Sequence, residues 1–312
     1  MVGAGAWGTA LAIQALRTGG AVSLWAREPG RIGRENPRLP GVVLPHGLRI
    51  TGELPGRCDA IVVAVPMQHL RGVLARLRPQ APLLLCAKGM EGGTGLLPLE
   101  VAAALWPGTP AAVLTGPNFA REVARGLPAA SVVAGAEAAV RQLFIAALGG
   151  PAFRLYGNDD ALGAQVGGAA KNVIAIAAGA VIGAGLGENA RAALVTRGLA
   201  EIARLVAALG GRAETAMGLS GLGDLLLTCT GAASRNFSYG VALARGERPE
   251  ATAESNPELG GVVEGVATAE ALVARASGVE LPLCRAVADC VAGRSSVAQA
   301  MALLLARRLR DE

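Results

Sequence analysis

Three continuous apolar runs mark the first half of the chain: Ala60–Val65, closed by Pro66, then Leu83–Ala87 and Ala111–Leu114. Runs of this length without polar alternation suit parallel strands buried on both faces. Ala21–Trp25, Leu48–Thr51, Ser131–Ala134 and Phe153–Tyr156 can complete the sheet. The three apolar runs open into polar loops, at Met67-Gln68, Lys88-Gly89 and Gly116-Pro117-Asn118. Ligands of open α/β sheets lie beyond the carboxyl ends of the strands, so these loops should converge on one crevice. From Asp160 onward the period becomes helical and strand-like runs do not recur. Asn158-Asp159-Asp160 supplies helix-start residues, and the stretch from Leu162 to Arg204 follows, uncharged from Asn172 to Gly187. Its recurring Gly and Ala let neighbours approach closely, which predicts a helix at the centre of a packed domain. The pattern therefore predicts an α/β, parallel-rich sheet domain over residues 1–158 and an all-α domain over 159–312.

The chain opens Gly3-Ala4-Gly5-Ala6-Trp7-Gly8, a G-x-G-x-x-G turn leading into a helix that stops at Gly19-Gly20. Gly3 allows the tight turn, Gly5 lets a pyrophosphate reach the backbone, and Gly8 lets the helix pack on the sheet. The helix N-terminus offers N–H donors to phosphates. Only Met1 and Val2 precede Gly3, against roughly 5–6 residues in a typical strand, so the first strand is shortened: either the true start lies upstream or the sheet centre is weakened. Arg27 follows the second strand where such folds read the adenosine ribose. It suits a 2′-phosphate and so favours NADP over NAD, although a surface arginine there looks the same. The Pro- and Gly-rich stretch from Arg31 to Arg57 carries no chemical signal in this reading.

Composition narrows the classes. The 312 residues are 52% apolar and 17% charged, with 44 glycines, which describes a globular chain of about two domains. The net charge of +5 comes mainly from scattered arginines; without a basic run interleaved with aromatics, anionic small molecules are favoured and nucleic acid is not. Five scattered cysteines and two histidines provide neither a metal site nor a disulfide framework, and a reducing cytoplasm fits. The apolar run after Lys171 is short and glycine-rich for a bilayer span, so no stable membrane insertion is expected.

Lys171 opens that run, where burial would lower its pKa towards neutrality and make it a proton donor. A stem lying on apolar surface with its head in water is the alternative. Lys88 points a second cation towards the crevice, or is a solvated loop lysine. Glycines around Asp224 let its carboxylate approach closely; beside Lys171 it would oppose the effect of burial. Arg235 offers a planar fork for phosphate, with Asn236 as an added donor.

The stretches GAGAWGTALA, AKGME, TGPNFARE, GGAAKNVIAIAAG, NARAALVTRGLAE, GLSGLGDLLLTCT, SRN and VVEG occur in this order over nearly the whole chain. Together they closely resemble the bacterial NAD(P)-dependent glycerol-3-phosphate dehydrogenases. The resemblance implies a Rossmann-like domain, a helical C-terminal domain, and reversible reduction of dihydroxyacetone phosphate to sn-glycerol 3-phosphate for phospholipid synthesis. It makes Lys171 the proton donor and acceptor, with Lys88, Gly116, Asn118, Asp224, Ser234, Arg235 and Asn236 around the substrate. Ala6, Trp7, Arg27, Lys88, Ala120, Arg235, Val262 and Glu264 match positions that contact NAD or NADP. Asn118 stands where many relatives carry Ser or Thr, and the segment before Asp59 is shorter than usual. Two other readings remain at this level: a non-catalytic NADP-binding protein, and a related dehydrogenase of a 3-hydroxy acid. A homodimer is the default assembly.

Overall fold

The computed structural model describes residues 1–247 and 262–307. The first half alternates strands and helices: α1 (Ala6–Arg17), β1 (Ser23–Trp25), β2 (Arg49–Thr51), β3 (Ile61–Val63), α2 (Met67–Leu74), β4 (Leu83–Leu85), α3 (Pro98–Leu105), β5 (Ala111–Thr115), α4 (Ala120–Arg125), β6 (Ala129–Ala134), α5 (Ala138–Leu148) and β7 (Phe153–Asn158). β3, β4 and β5 are parallel, β6 runs antiparallel to β5, and β7 is parallel to β6. The sheet is thus parallel-rich, as the apolar runs predict. Alternate residues of each strand face opposite layers. Ile61, Val63, Leu83 and Leu85 meet Met67, Leu70 and Leu74 of α2 and Val101 of α3. Val62, Leu84, Ala112 and Leu114 meet Leu11 of α1 and Val140, Phe144 and Leu148 of α5.

The short segment before Gly3 closes the sheet more fully than its length suggests. Val2 is fully buried and bridges Trp25 of β1 and Val63 of β3 in parallel fashion. Trp25 N donates to Met1 O (2.8 Å) and Gly3 N to Trp25 O (3.2 Å), while Val2 N donates to Val62 O (2.7 Å) and Ala64 N to Val2 O (2.8 Å). A parallel strand bonds to its neighbours on both edges, so each residue can join two ladders. Met1 to Gly3 therefore joins the β1–β2 pair to the five-stranded remainder.

Beyond β7 every regular element described is helical: α6 (Ala161–Gly183), α7 (Gly187–Ala208), α8 (Asp224–Cys229), α9 (Arg235–Ala244), α10 (Glu264–Arg275), α11 (Pro282–Val291) and α12 (Val297–Leu305). Asp160 caps α6: its Oδ1 accepts from Gly163 N (2.8 Å), and its Oδ2 accepts from Arg212 N (2.9 Å) and Thr215 Oγ1 (2.7 Å). One carboxylate thus ties the start of the long helix to the turn after α7.

α6 is the centre. By length and composition it could cross a bilayer, since it starts at Ala161, well before the uncharged run; instead, 83% of its most apolar stretch is buried within the protein. Its glycines admit other backbones. A Cβ at Gly179 would lie 1.9 Å from Phe237 O and one at Gly183 2.6 Å from Val241 O, while one on Gly240 of α9 would lie 2.0 Å from Ile176 O. α6 and α9 therefore touch backbone to backbone at three points where no larger residue fits. We predict that Gly240→Ala forces these helices apart and costs about 1–3 kcal/mol, the usual penalty of overpacking. Urea unfolding checks this; an unchanged midpoint would refute it.

Candidate active site

The carboxyl ends of β4 and β5 face the middle of α6. β4 leads into Ala87-Lys88-Gly89, and β5 into Gly116-Pro117-Asn118. From the helical half, the chain makes a π-helical turn at Leu219–Gly223 and then starts α8 at Asp224. Gly221 makes that turn possible, because a Cβ there would lie 2.0 Å from Ala216 O. Irregular turns of this kind recur at functional sites.

Asp224 is 1% exposed and lies between two lysines. Its Oδ1 accepts from Lys171 Nζ (2.6 Å) and its Oδ2 from Lys88 Nζ (2.6 Å). Lys88 Nζ also donates to Gly116 O (2.9 Å), and Lys171 Nζ to Thr228 Oγ1 (2.7 Å). Thr228 Oγ1 in turn donates to Asp224 O (2.6 Å), so its lone pairs are the ones turned to the lysine. An ammonium has three N–H groups. Two on Lys171 are held by protein, which leaves one for a ligand.

The electrostatics follow from burial and from the 2:1 ratio of cations to anion. Burial lowers the Lys171 pKa, Asp224 opposes it, Lys88 adds to the fall, and the result is about 8. Burial would raise the Asp224 pKa, but Lys171 and Lys88 hold it below its ordinary value. The competition left open by the sequence is thus resolved in favour of burial. One net positive charge remains, suited to an anionic ligand.

Lys171, Lys88, Gly116 and Asp224 are therefore in direct contact. Gly168, on α6 just before Lys171, leaves room for Thr115 and Lys88: a Cβ there would lie 3.0 Å from Thr115 Oγ1 and 3.7 Å from Lys88 Cγ. Asn118 Nδ2 donates to Ser131 Oγ, while its Oδ1 is buried without a hydrogen-bond partner.

A second group adjoins the first. Asn236 is buried between α6 and α10, donating from Nδ2 to Asn172 Oδ1 (2.9 Å) and accepting at Oδ1 from Gly265 N (2.9 Å). Ser234 is buried as the α9 cap, with Oγ accepting from Phe237 N (3.3 Å). Both side chains are thus engaged by protein, whereas Arg235 between them reaches solvent. Glu264 Oε1 accepts from Met67 N at the start of α2 (3.1 Å); Oε2 is buried and has no hydrogen-bond partner among the described residues. Burial raises the Glu264 pKa to about 7, against the Met67 N–H and the Arg235 charge. Gly89, with φ +144°, lies under this carboxyl: a Cβ there would be 3.5 Å from Glu264 Oε2. Val262, partly buried, lies two residues ahead of Glu264.

The glycine-rich turn fits a dinucleotide. Gly3 has φ +107°, and a Cβ there would meet Ala64 O at 2.5 Å; a Cβ at Gly8 would meet Gly3 O at 1.9 Å. At Gly5 a Cβ would meet nothing within 4 Å, so the backbone there faces open space in front of α1. No side chain caps α1, which leaves its first N–H groups free for phosphate. Ala6 and Trp7 form the first turn, and Trp7 packs edge-on against Phe153 (6.4 Å, 86°). Arg27 is exposed just past β1, and Ala120 is the first residue of α4; neither contacts the lysine cluster.

Thr228, Asn172, Thr115 and Ser131 were not singled out from sequence. A countable signal existed: of 29 lysines and arginines only Lys88 and Lys171 are lysines, and both bind Asp224. In a chain that otherwise uses arginine for every cation, a retained lysine marks a need for a group that can lose its proton. Thr228 is then found by looking one helical turn beyond Asp224.

Comparison with known proteins identifies relatives over the whole chain. Residues 1–140 match the N-terminal part, and residues 160–302 the C-terminal part, of the NAD-dependent glycerol-3-phosphate dehydrogenase family. The chain is 54% identical over 321 residues to glycerol-3-phosphate dehydrogenase (NAD(P)+) of Acidiphilium cryptum, covering 100% of this chain and 97% of the relative. It is 50% identical to the enzyme of the same name from Gluconobacter oxydans, over 98% of this chain and 96% of that one. The crystal structure of glycerol-3-phosphate dehydrogenase from Coxiella burnetii is similar with a TM-score of 0.91 at 36% identity, over 98% of both chains.

With only two lysines, isotope-labelled lysine should give two ammonium resonances. We predict that one titrates near pH 8 and is lost in Lys171→Met. Asp224→Asn should lower that midpoint further, because it removes the charge that favours the ammonium. A Lys171 midpoint near the ordinary lysine value would refute the burial argument.

Proposed function

The chain belongs to the NAD-dependent glycerol-3-phosphate dehydrogenase family, and from that premise we propose that Lys171 is its general acid and base, with Lys88 and Asp224 completing the reaction centre. It is an oxidoreductase that reversibly reduces dihydroxyacetone phosphate to sn-glycerol 3-phosphate with NAD(P)H. The observation that carries the site assignment is the Asp224 carboxylate shared by two lysines, one with a pKa of about 8.

The bound nicotinamide cofactor supplies the hydride to the ketone carbon. As negative charge grows on the ketone oxygen, Lys171 Nζ gives it the proton not held by Asp224 or Thr228 and becomes a neutral amine. In the reverse direction the neutral amine takes the hydroxyl proton. A pKa near working pH lets one group do both. Lys88, fixed by Gly116 O and Asp224, places a second N–H group beside the developing oxyanion. Asp224 holds the two ammonium groups together despite their repulsion. Arg235, with Ser234 and Asn236 beside it, takes the substrate phosphate, whose binding energy positions the carbonyl; Asn118 adds an unpaired buried oxygen for a substrate hydroxyl.

Residues 1–158 form the cofactor half of this reading and 159–312 the substrate half, of which 248–261 and 308–312 lie outside the described residues. Gly3, Gly5, Ala6, Trp7 and Gly8, with Arg27, Lys88, Ala120, Arg235, Val262 and Glu264, would hold the cofactor. Support comes from the open space at Gly5 and from the buried free oxygen of Glu264. Five free thiols support a reducing cytoplasm, and symmetry preferences support a homodimer. The product fits a supply role in glycerophospholipid synthesis. Family membership favours this reaction over a 3-hydroxy acid dehydrogenase and over binding without turnover.

Nicotinamide absorbance should fall when the protein meets dihydroxyacetone phosphate, and unphosphorylated dihydroxyacetone should react far more slowly. Comparing NADPH with NADH tests Arg27. Lys171→Ala should lower turnover by ~10²–10⁴, the usual contribution of a positioned general acid; near-normal turnover in a folded variant would remove Lys171 from the role. Ketone reduction needs the ammonium, so its kcat should fall as pH rises through about 8. Alcohol oxidation needs the amine and should rise over the same range. Profiles flat across that range would contradict the assignment.

A further inference from the structure

The loop from Arg34 to Leu44, silent in the sequence, is tightly pinned against the glycine-rich turn. Asn36 is 1% exposed, and its Nδ2 donates to Ala4 O (3.1 Å), between the first two glycines, and to Thr9 Oγ1 of α1 (2.7 Å). Its Oδ1 accepts from Arg38 N (3.0 Å) and its O from Leu39 N (2.8 Å). Leu39 and Val42 pack on Ala10 and Ile13 of α1, Leu44 N donates to Arg34 O (2.9 Å), and Gly41 N donates to Glu35 Oε2 (2.9 Å). A loop held this way presents Arg38 from a fixed backbone two residues from the contact with Ala4.

Among the described residues the Arg38 guanidinium is exposed and forms no ion pair. It nonetheless lies within electrostatic reach of Arg235, across the crevice. Although Arg235 reaches solvent, burial lowers its pKa; Glu264 opposes the fall, and the charge of Arg38 adds to it. The charge of Arg38 thus adds to the positive field on the cofactor side of the crevice, which favours an anion. The Arg38 backbone is anchored beside Gly5, where the space is open, and not to β4, β5 or the lysine pair. A phosphate there belongs to the dinucleotide and not to the triose.

We propose that Arg38 is a binding residue for the pyrophosphate of the dinucleotide, presented by the loop that Asn36 fastens to the glycine-rich turn. Arg38 thereby joins the cofactor site, and its role is separate from the one proposed for Arg27 at the adenosine ribose. This inference rests on the dinucleotide reading of the Gly3–Gly8 turn. The test uses ADP-ribose, which carries the pyrophosphate without nicotinamide, so that binding is measured by calorimetry independently of turnover. Wild-type protein should bind it. Arg38→Gln should weaken ADP-ribose, NADPH and NADH by the same factor, about ten- to hundredfold for a lost charge-assisted bond. The KM for dihydroxyacetone phosphate at saturating cofactor should stay within about twofold. Arg34→Gln, which removes an exposed charge from the same loop, should change ADP-ribose affinity by less than about twofold, because exposed charges are screened. Equal effects of the two variants, or no effect of Arg38→Gln, would overturn the proposal. A loss confined to dihydroxyacetone phosphate would overturn it in favour of a substrate phosphate contact. Failure of wild-type protein to bind ADP-ribose would overturn the dinucleotide reading itself, and this inference with it.

Discussion

A single buried carboxylate holding two ammonium groups governs the reaction centre. Lys171 and Lys88 repel one another, and Asp224 opposes the loss of the Lys171 proton that burial favours. The same carboxylate cannot restore Lys171 to its ordinary pKa, because it is shared and because desolvation is the larger effect. The outcome is a lysine that is close to half-protonated at mildly alkaline pH beside one held by a backbone carbonyl. Two chemically identical side chains thereby acquire different roles, set by where each lies.

The fold exists around this carboxylate in a specific sense. Each of the three groups comes from a different part of the chain: Lys88 from the end of β4, Lys171 from α6, Asp224 from the start of α8. Bringing them together requires α6 to run close to the sheet and to α8 and α9 at once. Glycines 167, 168, 179 and 183 make room where a side chain would meet Ser220 O, Thr115 Oγ1, Phe237 O or Val241 O. Gly lowers the intrinsic stability of a helix, so at these four positions close packing outweighs propensity.

The cofactor half applies the same economy to its backbone. Three residues, Met1 to Gly3, join two strands because parallel pairing uses both edges of the segment. The first strand is as short as its sequence suggests, since Val2 makes isolated bridges only, yet those bridges reach both neighbours. Asn36 extends the organisation outward by fastening a long loop to the turn at Ala4.

The sequence by itself determined the architecture and the cast of groups. Hydrophobic period alone separates strands from helices near residue 158, since a buried parallel strand and a buried helix repeat differently. The motifs name Lys88, Lys171 and Asp224, and the spacing of Gly3, Gly5 and Gly8 describes a phosphate turn. Only the tertiary structure decided how these groups act on one another. The sign of the Lys171 shift depends on the balance of burial against a carboxylate 53 positions away in the chain. Engagement of Ser234 and Asn236 by the protein, while Arg235 reaches solvent, depends on how α9 meets α6 and α10. The setting of Arg38 depends on a hydrogen bond between a loop without periodicity and a backbone carbonyl. Such quantities are properties of distance and solvent exclusion between remote residues, which local patterns along a chain do not encode.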